Sequence, residues 1–340
     1  MNIGRLTIVI AWLLATGFST KLAAQHDMRN MAGMKMNRGP AANVRVDVQN
    51  DESAHVLTIR VGPWNLPARA GMDVPQAPDL TMTVPFDGWF VAYHPRLTDA
   101  AGNTLPGRLL HHVAVYNTAR SDFLCPRRPE HIFGAGGEMG EWPVTPGVGY
   151  RIHQGDRLLI STMVHNDTAA SYPAAYLEIQ AEYQSANAGG GELKNVYPTW
   201  FDVKHCGPSD YDLDPGRNVT TGAFTLGYSG VLIGVGGHLH DYGQQLKLVD
   251  VTRGEPIATL DARLDPRGGI LSIPIARFVD RGGFPLHKGD VVQVTATYDN
   301  PTGKRLSDAA MGIAVGYFLP SDDREMAGLR RQKSEERSHQ

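Results

Sequence analysis

Long apolar runs, charge blocks and cysteines are all scarce in this 340-residue sequence. The one extended apolar run, "LTIVIAWLLATGF" (6–18), is too short to cross a bilayer with margin. No basic block points to nucleic acid, and no acidic tract points to a solvating tail over the main body. No long amphipathic helix is evident. Nothing resembles a βαβ series, a phosphate loop or a nucleophile elbow, so nucleotide-binding and serine-hydrolase chemistries have no support. The two cysteines, Cys125 and Cys206, allow at most one disulfide.

The content that remains is globular and turn-rich: 42% hydrophobic and 20% charged, with 38 glycines and 22 prolines. Arg5, the apolar run and the small residues "LAA" (22–24) read as a secretory signal over residues 1–24, cleaved after Ala24. An uncleaved membrane anchor is the alternative. Losing Arg5 and Lys21 with the signal takes the formal charge from −3 to −5. The mature protein is therefore expected to be exported, periplasmic or secreted, with no membrane association and no nucleic-acid partner.

Residues 25–42, "QHDMRNMAGMKMNRGPAA", form a polar arm holding His26, Met28, Met31, Met34 and Met36. Spaced thioethers on such an arm suit Cu(I) capture; a chance run is the alternative. Residues 43–184 carry short alternating runs such as "VRVDVQ", "HVLTIRVG" and "YLEIQAEY". A glycine-rich break, "SANAGGGELKN" (185–195), reads as a linker. A second β-rich block follows at 196–320, then a charged tail at 321–340 that is expected to be disordered or loosely helical. The pattern predicts an all-β chain of two tandem antiparallel jelly-roll β-sandwich domains. Cys125 and Cys206 fall in different blocks. They either staple the blocks together or remain separate thiols.

The stretch "GVGGHLHDYG" (234–243) contains His238 and His240. Strand residues i and i+2 share a face, so both imidazoles and Gly236 project together. His111 and His112 open "HHVAVYN"; adjacent residues face oppositely, so joint metal binding needs a strand end, twist or bulge. His165 ends "RLLISTMVHND" on the face of Met163, and Met311 shares a face with Ile313 and Val315. Each feature taken alone reads as ordinary surface or core. Together, imidazoles with a thioether favour copper over zinc, calcium or magnesium. The remaining histidines, at 55, 94, 131, 153, 205, 287 and 339, lack ligand spacing. Glu138, in "GAGGEMGEW", reads as a turn residue rather than a neighbour of the first histidine pair. "NDT" (166–168) and "NVT" (218–220) fit a glycosylation sequon.

The ordered segments "HHVAVYN", "TPGVGYRIHQGDRLLISTMVH", "GHLHDYG" and "GDVVQVTATYDNPTG…SDAAMGIAVGYF" resemble the copper type II, ascorbate-dependent monooxygenases. That is the family of peptidylglycine α-hydroxylating and dopamine β-monooxygenases. The resemblance covers most of residues 80–319 and implies the two-jelly-roll fold. It also implies two coppers, one on His111, His112 and His165 and an oxygen-activating one on His238, His240 and Met311. Electrons would cross an open gap between the domains, and ascorbate or another reductant would recharge the coppers. A C–H bond of a small-molecule substrate would be hydroxylated with dioxygen. Where the peptide-hydroxylating members place substrate-holding arginine, asparagine and tyrosine, this chain has Gly236, Ile313 and Val315. The expected substrate is therefore small and not anchored by a carboxylate. Met163 replaces a glutamine and is either packing or an accessory thioether. The alternative function is a non-catalytic exported copper-binding protein for storage, delivery or resistance.

Overall fold

The computed structural model describes residues 43–138, 141–187 and 191–329. The expected signal, the methionine arm with His26, Met28, Met31, Met34 and Met36, and the last eleven residues lie outside the described residues. Among the described residues the chain is all-β, with three short 3-10 turns and no α-helix.

The first half contributes Arg45–Asp51 (β1), Val56–Leu66 (β2), Leu80–Thr83 (β3), Gly88–Thr98 (β4), Leu110–Ser121 (β5), Pro129–Ala135 (β6), Val148–Ile152 (β7), Arg157–Val164 (β8), Tyr172–Ser185 (β9) and Lys194–Asn195 (β10). They form a six-stranded sheet, β1-β2-β9-β4-β7-β10, and a four-stranded sheet, β3-β8-β5-β6. The second half contributes Tyr197–Asp202 (β11), Tyr211–Leu213 (β12), Gly216–Thr225 (β13), Gly230–Leu239 (β14), Gly243–Asp250 (β15), Glu255–Asp261 (β16), Arg263–Leu264 (β17), Ile270–Ser272 (β18), Ala276–Arg277 (β19), Phe284–Leu286 (β20), Val291–Asn300 (β21), Leu306–Ala310 (β22) and Gly312–Pro320 (β23). Its main sheets are β11-β23-β14-β19, with β20 also on β14, and β13-β21-β15-β16.

Strand alternation explains most of the core. Along β9, Ala175, Leu177, Ile179 and Ala181 are buried while their neighbours are half-exposed. Along β21, Val292, Val294, Ala296 and Tyr298 point inward in the same way. β14 departs from alternation: nine of its ten residues are buried. One face packs in the second core, through Leu232 and Val235, and the other meets the first half, where Ile233 joins the first core. A strand covered on both faces loses the period-2 signal.

The two halves pack directly together. Tyr317 and Val196 enter the first core, while Phe123 and Cys125 enter the second. The Tyr317 hydroxyl donates to the Ile132 carbonyl, at 2.9 Å. The Trp200 ring stacks on that of His131, 4.2 Å apart, and Gly134 leaves room for it: a Cβ there would meet the indole at 2.9 Å. Cys125 and Cys206 are bonded, so one disulfide joins the loop after β5 to the loop after β11.

Two sequence-based boundaries need correction. The segment expected as a linker (185–195) ends in β10, which pairs in parallel with β7, and Asn195 accepts a hydrogen bond from Trp89 Nε1. The start of the expected tail is also built into the fold. Asp323–Leu329 form a 3-10 turn that buries Met326 and Leu329, and Asp323 accepts from Tyr197 and Asn195. The apolar spacing within that charged stretch is what docks it. Asn166 of the first sequon is fully buried and donates to three backbone carbonyls, so it is closed to modification in this fold.

Candidate metal centre

His111 and His112 lie at the start of β5. The ladder with β8 changes register between Leu110 and His112, so an irregularity of the β-bulge kind sits at this pair. This is the feature that adjacent histidines need in order to share a side. Their rings lie 5.0 Å apart and 32° from coplanar. His112 stands opposite Met163 in the ladder, which places that thioether beside it on the sheet. His165 follows β8 immediately, and its backbone N–H donates to Leu109, at 3.0 Å. Its ring Nε2 bonds the Arg108 carbonyl. A carbonyl only accepts, so Nε2 carries a proton, while Nδ1 lies 3.5 Å from the Asp167 carboxylate. Its ring lies 5.4 Å from that of His111.

His238 lies near the end of β14 and His240 just beyond it. Their rings are 5.1 Å apart. Opposite them on β23, His238 pairs with Ile313 and Gly236 with Val315. Met311 sits in the break between β22 and β23, buried with Ile313 and Val315 against Trp200. The Tyr298 hydroxyl joins the His240 and Met311 segments. It accepts the N–H of His240 at 2.9 Å and that of Met311 at 3.2 Å, and donates to the Met311 carbonyl.

The largest difference from expectation concerns the gap. The resemblance implies two ligand sets on either side of an open space. In the structure the sets abut: the His111 ring is 4.5 Å from that of His240, and His112 is 5.8 Å from His238. One nitrogen each of His111, His112 and His240 lies within 4.8 Å of the others. The cause is the direct packing of the halves through Trp200, His131 and Tyr317.

Glu138 also departs from its expected role as a turn residue. It is 5% exposed, and His238 Nδ1–H donates to its Oε1 at 2.5 Å. Sequence signals for Glu138 and Tyr298 were thin. Only the glycines around Glu138 and the inward phase of β21 hinted at close packing.

The donor set fits a soft or borderline metal. His112 Nδ1, His238 Nε2 and His240 Nε2 are buried without a hydrogen-bond partner among the described residues. A buried polar atom with no partner is costly unless something else satisfies it. Burial, reinforced by the neighbouring imidazoles, holds His111 and His240 well below the usual histidine range and His112 down at about 3. Their rings are therefore neutral at physiological pH, the form that binds metal. Several other described histidines are engaged elsewhere: His94 with Glu182, His131 with Asp122 and His287 with Asp290.

No protein-family model matches the sequence. Two curated proteins are similar to it. One is the "Probable copper-dependent oxygenase M1" of Phoma sp., 28% identical over 232 residues, covering 63% of this chain and 58% of that protein. The other is the "Probable copper-dependent oxygenase clz3" of Cochliobolus lunatus, 26% identical over 233 residues, covering 63% and 72%. The match thus spans little more than half the length of the first. Among solved structures, the STIV MCP aligns with TM-score 0.37 and 9% identity over 84% of this chain and 99% of that one. The major capsid protein P2 of bacteriophage PM2 aligns with TM-score 0.31 and 10% identity, covering 76% and 97%. Likeness at these scores carries no conclusion.

Proposed function

We propose that this protein is a copper-dependent monooxygenase that hydroxylates a small, apolar substrate with dioxygen and a reductant such as ascorbate. One observation carries the proposal: imidazoles from both halves converge, with buried nitrogens that nothing among the described residues satisfies. The names of the two similar proteins point to the same chemistry. Copper held there would supply one-electron redox chemistry and oxygen activation. The ligands we assign are His111, His112 and His165 on one side and His238, His240 and Met311 on the other.

The protein's own groups have separable tasks. The Arg108 carbonyl turns His165 so that Nδ1 faces away from it. Tyr298 ties the His240 backbone to that of Met311. Ile313, Val315 and Trp200 make the wall around Met311 apolar, which excludes water and provides no partner for a carboxylate. Gly236, opposite Val315, leaves that wall without the arginine of the peptide-hydroxylating family.

The test is oxygen uptake by copper-loaded protein with ascorbate. Small apolar substrates should raise uptake and yield hydroxylated product, and glycine-extended peptides should yield little. Robust peptide turnover would sink the substrate class. Copper binding with no coupled product from any substrate would instead favour the carrier reading.

A further inference from the structure

We propose that Glu138 is a positioning residue supplied by the first half of the chain to the metal centre of the second. It accepts Nδ1–H of His238 and thereby directs Nε2 of that ring to the metal. This rests on the copper reading above but assigns a residue that the reading does not require.

The carboxylate reaches His238 by construction. Glu138 follows β6 by three residues, and its backbone is held on both sides. Gly137 N–H donates to Leu110, the residue before His111, at 3.2 Å. Ile273 N–H, from the second half, donates to the Glu138 carbonyl, also at 3.2 Å. Further along, Trp142 exchanges backbone hydrogen bonds with Tyr93 and packs its ring against Tyr317. The glycines before Glu138 have a specific role. A Cβ on Gly136 would collide with both carboxylate oxygens, and one on Gly137 would meet the Arg108 Cα at 3.0 Å.

The chemistry follows from the donor inventory. An ionised carboxylate can only accept, so the bonded Nδ1 carries the proton and Nε2 holds the lone pair. That Nε2 is buried with no hydrogen-bond partner among the described residues. A carboxylate behind a ligand imidazole fixes its tautomer and rotation and raises its basicity. Because Glu138 and His238 belong to different halves, the second ligand set is complete only while the halves are docked. Docking and metal affinity are therefore coupled.

The test compares wild type, Glu138→Ala, Glu138→Gln and Gly136→Ala as full-length chains, with Glu141→Ala as a control in the same loop. Copper affinity is read by competition with a chelator, the Cu(II) site by electron paramagnetic resonance, and the reduction potential by titration. Glu138→Ala and Gly136→Ala should bind copper about 10–100-fold more weakly with altered nitrogen hyperfine structure. Glu138→Gln keeps an oxygen acceptor. It should retain most of the affinity with a raised potential, because a neutral amide leaves the imidazole less basic. Glu141→Ala should match wild type. Wild-type affinity and spectrum in a folded Glu138→Ala protein would overturn this role alone. If the alanine variant does not fold, an unchanged potential in Glu138→Gln would overturn it. Failure of the wild type to bind copper would overturn both this role and the copper reading.

Discussion

The two histidine sets reach the same place by different means. His238 and His240 need only the regular alternation of a strand to share a face. His111 and His112 are adjacent, and a register shift beside β8 is required to bring them together. Support differs too. In the first set, His165 is oriented by a carbonyl of its own half, that of Arg108. In the second, His238 is oriented by a carboxylate imported from the other half, and His240 is held through Tyr298. The second set is thus the one that depends on the docking of the two halves, although its spacing is the easier to read.

That contrast can be broken most directly by deletion. Replacing His238 and His240 together with Ala should abolish copper binding at that set, and so should replacing His111 and His112 at theirs. Because His111 and His240 rings lie 4.5 Å apart, each double variant should also perturb the remaining copper. Metal analysis with Cu(II) spectra would show this. An unperturbed second signal would mean the sets act independently.

Opening the disulfide tests the docking on which the second set relies. Cys125→Ser with Cys206→Ser should cost about 2–4 kcal/mol in denaturant unfolding. It should weaken copper binding at His238 and His240 more than at the first set.

Tyr298→Phe comes next. It removes the one hydroxyl that two buried N–H groups and a carbonyl share, at a cost of about 1–3 kcal/mol. Urea titration should report the destabilisation, and the Cu(II) spectrum of the His240 site should change more than that of the first set.

The acid response of copper-free protein is smaller and is read as a difference. His112 titrates at about 3 when folded, against 6.5 ordinarily, because burial disfavours its charged form. The folded state therefore binds fewer protons than the unfolded one across that window, and stability falls as pH drops through it. Glu130 and Asp202, pushed up by burial to about 7 and about 6, act in the opposite sense. His112→Asn should accordingly make the acid side of a Tm–pH profile less steep than that of wild type. A profile that steepens would contradict the assigned burial. Smallest of all is Asp167→Asn. This exposed side chain lies 3.5 Å from His165 Nδ1, and its loss should leave stability within about 1 kcal/mol.

Much of the architecture was legible in one dimension. The inward phases of β9 and β21 follow directly from alternation, as does the pairing of His238 with His240. β14 was less so, because covering both of its faces erases the period. The docked turn at Asp323–Leu329 hides two buried side chains in a charged stretch. Glu138 carried no helpful spacing, since its partner is one hundred residues away in sequence.

What the sequence by itself determined is local: which residues alternate, and that His238 and His240 share a face. Those follow from backbone geometry, which repeats every two residues whatever the surroundings. Tertiary structure alone decided that the two imidazole sets meet, that Glu138 serves His238, and that Tyr298 joins His240 to Met311. Those contacts depend on how the two halves bury apolar surface against each other, and no spacing along the chain encodes that distance.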